Sequence, residues 1–140
     1  MQASPEKASV RDLAVECATA RVLVIDDDQH FRVLTRGLLE PAGIELLEAA
    51  DARQGLALIR TNGEIDAVIV DMLLPDEDGI QTLRRIKAMS PGLKVIAVSG
   101  ARSSDFYLGL SAKLGADAVL PKSQVEALRA LLESLLEPCR

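Results

Sequence analysis

The sequence predicts an α/β domain built on a doubly wound parallel sheet. Short Val/Ile/Leu runs without polar alternation, at 22–25, 67–70, 94–98 and 118–120, read as strands buried on both faces. Segments with apolar residues at helical spacing separate them, the pattern of βα units. Each run stops at or beside a side chain with chemical capacity, namely Asp26 and Asp27, Asp71, Ser99 and Lys122. Parallel sheets gather functional groups just beyond the carboxyl ends of their strands, so these five are expected to converge.

The elements follow in order. Residues 1–20 read as an extension: Ser9 caps a short helix with Val10, Leu13, Ala14 and Cys17 on one face, or the segment is a frayed tail, and both readings stand. After the first strand, Asp28 suits a helix N-cap or first-turn acid, and Phe31, Leu34 and Leu38 mark the apolar side of a helix closed by Pro41-Ala42-Gly43. Residues 44–49 form the second strand. Asp51 with Gln54 resembles a capping box for a helix ending near Asn62-Gly63. The third strand ends at Asp71. A loop leads to Asp78, which caps a helix carrying Ile80, Leu83 and Ile86 and stopped by Ser90-Pro91-Gly92. The fourth strand runs into Ser99. A helix over about 104–114 follows and ends at Gly115, placed for a left-handed cap. The last strand reaches Lys122, and Ser123-Gln124-Val125-Glu126 reads as the capping box of a final helix with Val125, Leu128, Leu131, Leu132 and Leu135 inward. Pro121 lies inside the last strand, where proline is tolerated if that strand is at a sheet edge.

A chain of 140 residues suits one domain, and a 49% hydrophobic content without Trp requires an aliphatic core. A net charge of −5 argues against a broad nucleic-acid surface. No run has the apolar length of a membrane span, and residues 1–7 lack a signal-peptide pattern. Cys17 and Cys139 match no metal spacing and read as free thiols in a reducing cytoplasm, with pairing of the two as the minor alternative.

Three carboxylates brought together repel unless a cation sits among them. Mg²⁺ takes oxygen ligands and commonly uses one or two carboxylates with phosphate oxygens, so Asp26, Asp27 and Asp71 are the candidate metal set. Asp71 is the candidate nucleophile, since a carboxylate can attack phosphorus to form an aspartyl phosphate. Lys122 would neutralise charge on the transferring group and the Ser99 hydroxyl would donate to it. Relief of repulsion is expected to raise thermal stability without metal in both Asp26→Ala and Asp27→Ala.

These residues resemble the receiver domain of two-component response regulators over residues 21 to about 137. The resemblance rests on the Asp26-Asp27 pair and on the segment 71–79, Asp-Met-Leu-Leu-Pro-Asp-Glu-Asp-Gly, where the family shows Asp, three residues, Pro, two residues, then Asp-Gly. Ser99, Lys122 and the Gly115-Ala116 turn fall at the family's spacing. The resemblance implies a flavodoxin-like (βα)5 sheet in order 2-1-3-4-5, with residues 21–140 as a stand-alone receiver domain. It implies a cytoplasmic phosphorylation-dependent switch or relay. Asp71 would accept a phosphoryl group from a histidine kinase or histidine phosphotransfer protein, and Asp26, Asp27, Asp71 and the backbone carbonyl of Leu73 would hold Mg²⁺. The domain would catalyse only its own phosphorylation and dephosphorylation, and signal through protein contacts without nucleic acid or membrane. Phe31 and Ser123 are the candidate docking residues. Phe31 is expected partly exposed beside the acids, against an even alternative that it is core.

The chain departs from the family at two places. Ser123 follows the lysine where the family carries Pro, so a trans bond is expected. Val119 stands where many members carry a rotating aromatic ring, so transmission is expected through the loop 99–104 and the start of the fourth helix. The fourth helix bears Phe106, read as core in the plainer view, and Tyr107, there a solvated surface ring. A pseudo-receiver adaptor and an aspartyl-phosphate phosphohydrolase remain as rival functions. Leu73 counts against the hydrolase, because it occupies the place of that class's second Asp.

Overall fold

The computed structural model describes residues 20–100 and 104–136, the side chains of Ser104 and Phe106 excepted. Residues 1–19 of the expected N-terminal extension, Cys17 among them, Cys139 and residues 101–103 of the loop after Ser99 lie outside the described residues. The strands are β1 (Arg21–Ile25), β2 (Glu45–Ala49), β3 (Ala67–Asp71), β4 (Lys94–Ser99) and β5 (Ala118–Pro121). The helices are α1 (Gln29–Leu39), α2 (Ala52–Thr61), α3 (Gly79–Met89), α4 (Ser104–Lys113) and α5 (Leu128–Leu135). All strand pairs are parallel, in the order β2-β1-β3-β4-β5. This is the expected flavodoxin-like arrangement. Pro121 sits on edge strand β5, opposite Ser99, a position where proline is tolerated.

The unalternating strands are explained by two apolar layers. Val22, Val24, Ile69, Ile96 and Val98 face α1 and α5, packing with Phe31, Leu39, Leu128 and Leu132. Leu23, Ile25, Val68, Val70, Val95 and Ala97 belong to the opposite layer with Leu56, Leu83, Ile86 and Leu108. Successive residues serve opposite layers, so both must be apolar.

The acidic caps form as expected. Asp28, Asp51 and Asp78 accept from the backbone N–H groups of His30, Gln54 and Ile80. The Gln54 side chain accepts from the N–H of Ala50 at 2.9 Å, one residue ahead of the cap. Gly115 takes φ +112° as α4 ends, and the N–H of Ala116 returns to the Ser111 carbonyl at 3.0 Å.

Three local expectations need correction. The buried stripe of α1 is Phe31, Thr35 and Leu39, whereas Leu34 is 50% exposed. Thr35 qualifies for the core because its hydroxyl donates to the Phe31 carbonyl at 2.8 Å, which leaves its methyl to face the layer. The capping box at Ser123 does not form. Residues Lys122–Ala127 make a 3-10 turn without a side-chain cap, and α5 begins at Leu128. The three-residue period stacks Val125 beneath Leu128, both buried, and that packing outweighs the cap. Tyr107 is not a solvated ring; it is partly buried against the layer that contains Val95 and Leu108.

Asp117 joins β4 to the turn before β5. Its carboxylate accepts from Lys87 Nζ and from the Val95 N–H, each at 2.8 Å. Burial raises its pKa, but these bonds and the nearby lysines outweigh burial and hold it below the ordinary value. A lowered folded-state pKa gives stability that is present above the unfolded value, about 3.9, and lost as pH falls through the folded one. The stability difference between wild type and Asp117→Asn is therefore expected at neutral pH and to shrink below about pH 4. Urea melts at pH 7 and pH 3 check it; equal differences at both would exclude the carboxylate as the cause.

Candidate functional site

The chain continues the sheet one residue past β1 before it turns. The N–H of Asp26 bonds the Ala49 carbonyl at 3.0 Å, which fixes the first acid at the sheet's carboxyl edge. Asp26 is fully buried. Its Oδ1 accepts from the N–H of Asp28 at 2.9 Å. Its Oδ2 forms an ion pair with Lys122 Nζ at 2.7 Å. Asp27 follows, exposed.

Asp71 ends β3 with only 5% exposure. Its Oδ1 accepts from the N–H of Leu73 at 3.2 Å and its Oδ2 is 3.4 Å from Lys122 Nζ. Burial, reinforced by the charge of Asp26, pushes its pKa up to about 6 against the pull of Lys122 and the Leu73 N–H. For Lys122, burial acts to lower the pKa, but the hydrogen bond and charge from Asp26 with the charge of Asp71 raise it overall. The ammonium also lies 4.7 Å above the Phe31 ring centroid, a cation–π distance. Ser99, 1% exposed, ends β4, one step beyond the Val98 that pairs with Asp71 and level with the Pro121 that precedes Lys122.

Parallel register thus brings Asp26, Asp27, Asp71, Ser99 and Lys122 to one edge, as expected. Oxygens of the three acids lie within 4.8 Å of one another. One ammonium, that of Lys122, faces the two buried carboxylates while Asp27 stands beside them, and Asp71 is held up near 6, so negative charge at this edge exceeds positive. The donors are hard oxygens, so the set fits a Mg²⁺-type cation.

Gly79 explains the Asp-Gly of the 71–79 segment. A Cβ there would lie 2.3 Å from the Met72 Cα and 2.7 Å from the Asp71 carbonyl oxygen. Only glycine lets the start of α3 rest on the backbone at the end of β3, where the Gly79 N–H bonds the Met72 carbonyl at 3.1 Å. Gly79→Ala is expected to destabilise by about 3 kcal/mol, because backbone cannot give way as a side chain can. Gly37→Ala on α1, with nothing within 4 Å, is expected to stabilise by about 0.5–1 kcal/mol. Parallel chemical melts test the contrast, and equal shifts would refute it.

Two placements differ from expectation. Phe31 is 5% exposed and belongs to the core layer under α1, so the core alternative holds and partial exposure does not. The residues at its rim are the open ones: Val33, 58% exposed, and Leu34. Together with Asp28, His30, Phe31 and Lys122 they line a cleft of about 370 Å³. The second is Asp26, whose burial reverses the stability expected of Asp26→Ala. That substitution would strip the buried partner from Lys122 and the acceptor from the Asp28 N–H. Asp27→Ala relieves repulsion without that loss. It is expected to raise the Tm of the metal-free protein while weakening Mg²⁺ binding, and Asp26→Ala is expected to lower both. Thermal melts with and without Mg²⁺ check the pair; a Tm that falls in Asp27→Ala would reverse the assignment.

Val119 is partly buried in the same layer as Tyr107. Ser123 is exposed in the turn directly after Lys122, and the described residues contain no cis peptide bond. Sequence reasoning missed Arg32. Its guanidinium donates to the Asp26 carbonyl at 2.6 Å and to Glu48 at 2.9 Å, bracing the acidic turn from α1 against β2. The only trace of it in the sequence is a basic residue one helical turn beyond the acids.

Comparison with known proteins agrees with this geometry. The family model for the response regulator receiver domain matches residues 22–133. The transcriptional regulatory protein CpxR of Klebsiella pneumoniae is 32% identical over 117 residues, covering 80% of this chain and 49% of its own length. The chain spans about half the length of the curated relatives it matches. A response regulator receiver domain protein from Methanospirillum hungatei superposes with a TM-score of 0.74 at 34% identity, over 84% of this chain and 94% of that one. The response regulator TrrA of Thermotoga maritima, solved in complex with Mg²⁺ and BeF, gives 0.74 at 26% identity, over 84% and 99%. The described residues contain no helix long and apolar enough to cross a membrane. An acidic edge built on a 2-1-3-4-5 parallel sheet, matched by a family model over most of its length, identifies the chain as a member of the response regulator receiver domain family.

Proposed function

We propose that the chain is a cytoplasmic phosphorylation-dependent switch or relay, with Asp71 as the phosphoacceptor. The observation that carries this reading is the cluster of Asp26, Asp27 and Asp71 within 4.8 Å, with the Lys122 ammonium 2.7 Å from Asp26 and 3.4 Å from Asp71. The donor is a phosphohistidine on a histidine kinase or histidine phosphotransfer protein. The Asp71 carboxylate attacks phosphorus, the phosphorus–nitrogen bond breaks, and its electron pair stays on the donor histidine. Lys122 offsets charge on the moving group, and the Ser99 hydroxyl donates to a phosphoryl oxygen. Asp26, Asp27, Asp71 and the Leu73 carbonyl would hold Mg²⁺, which supplies further charge neutralisation when bound. A donor docks along the exposed Val33 and Leu34 of α1 and the Ser123 turn, which flank Lys122. Readout is through protein contacts, in keeping with the net charge of −5.

Incubation with a small phosphodonor and Mg²⁺, followed by intact mass, tests the reading. A stable single adduct supports the switch. Rapid donor turnover without adduct would mean a phosphohydrolase, and no reaction would mean a phosphorylation-independent adaptor.

A further inference from the structure

Three consecutive acids, Asp76, Glu77 and Asp78, follow the phosphoacceptor strand, and each has a separate structural task. Asp78 caps α3 through the Ile80 N–H at 2.8 Å. Glu77 accepts from the Thr82 hydroxyl at 2.7 Å and pairs with Arg85 at 3.4 Å, both on α3. Asp76 reaches the other way, to a different helix. Its Oδ1 accepts from the Ala52 N–H at 3.0 Å and its Oδ2 from the Arg53 N–H at 3.1 Å. Those are the first two N–H groups of α2, and Asp51 serves the third, from Gln54, at 2.8 Å. The N-terminus of α2 is therefore completed by a carboxylate from the loop after Asp71, a favourable place for negative charge.

The same loop carries Leu73, whose N–H holds Asp71 Oδ1, and a bridge between Leu73 and Asp78 closes it. On the other side, α2 begins just after Ala49, whose carbonyl holds the Asp26 N–H. The start of α2 thus lies in the chain of bonds between the two halves of the acid cluster.

We propose that Asp76 is a positioning residue for the metal site: it clamps the Leu73 loop to α2 and so sets Leu73 and Asp71 relative to Asp26 and Asp27. This rests on the reading of the site as a Mg²⁺-dependent phosphoacceptor. Asp76 is exposed and bonds only backbone N–H groups, while α2 is held to the sheet by Ala52, Gly55 and Leu56. Its loss should loosen the loop and leave the core intact.

Calorimetric titration of the full chain with Mg²⁺, with backbone amide exchange, tests the clamp in D76A and D76N. Outer residues that orient metal ligands typically change affinity 10–100-fold, and one acting through backbone belongs near the low end, so D76A should raise the Mg²⁺ Kd about tenfold. D76N keeps one acceptor oxygen and should fall between. Amides of Ala52, Arg53 and Leu73 should exchange faster in D76A. The rate of small-donor phosphorylation should return to within about twofold of wild type once Mg²⁺ saturates, as expected when only metal-site geometry is loosened. An unchanged Mg²⁺ Kd in D76A, or a rate deficit that persists at saturating Mg²⁺, would overturn the clamp. Should D76A not fold, D76N is judged by the same two readings. A wild-type chain that takes up no Mg²⁺ overturns the functional reading itself, and the clamp with it.

Discussion

Asp71→Asn is expected to take up no phosphoryl group from any donor, while unfolding at the wild-type temperature or above it. The amide is nearly isosteric with the carboxylate but is no nucleophile. The nearby Asp26 is already engaged with Lys122 and the Asp28 N–H, and Asp27 is solvated. The stability expectation follows from the site's electrostatics. Burial and the adjacent Asp26 hold Asp71 near 6, above its ordinary value, so the carboxylate present at neutral pH costs the folded protein stability. A folded-state pKa above the unfolded one means that ionisation costs stability as pH rises past the unfolded value. Asn removes that cost and keeps an acceptor for the Leu73 N–H. What Asn gives up is the ion pair with Lys122 at 3.4 Å, and Lys122 retains Asp26 at 2.7 Å. Intact mass after donor treatment and a melt without metal decide it. An adduct that persists, or that maps to Asp26 or Asp27, would remove Asp71 from its role.

Phe31→Ala is expected to lower stability by about 3–5 kcal/mol, the range for deleting a buried aromatic ring. That corresponds to a Tm fall of about 15 °C in a domain of this size. The ring is 5% exposed and packs in the α1–α5 layer, so its removal opens a cavity. It also takes away the surface beneath the Lys122 ammonium, 4.7 Å from the ring centroid. Small-donor and phosphohistidine reactions should then suffer together, because the lysine common to both is released. Phe31→Leu restores most of the apolar volume and should recover most of the Tm. A Tm within about 3 °C of wild type for Phe31→Ala, with loss confined to the phosphohistidine donor, would show instead that the ring is a docking contact.

The sheet and its functional edge were legible because their signals are local. A strand buried on both faces needs an unbroken apolar run, and the first polar residue after it marks the carboxyl end. Asp26, Asp71, Ser99 and Lys122 could therefore be placed without knowing the strand order. The caps at Asp28, Asp51 and Asp78 were legible for the same reason, each lying within three residues of the N–H it serves. Orientation was less so. Phe31, Leu34 and Leu38 have good helical spacing, but the buried stripe is turned to Phe31, Thr35 and Leu39. A threonine whose hydroxyl is satisfied by its own helix counts as apolar, and composition alone does not reveal that.

By itself the chain's order of residues determined a (βα)5 sheet, an acidic carboxyl edge and the candidate nucleophile on it, because periodicity and strand ends depend on near neighbours. Tertiary structure alone decided which side of α1 is buried, that Lys122–Ala127 tightens into a 3-10 turn in place of a capped helix, and that Arg32 is held by Glu48 of β2. It also decided that Asp76 completes a helix 23 and 24 residues earlier in the chain. The physical reason is common to all four. Each is a competition for a partner remote in sequence or for space in a packed layer, and its outcome is set only when the strands and helices have assembled.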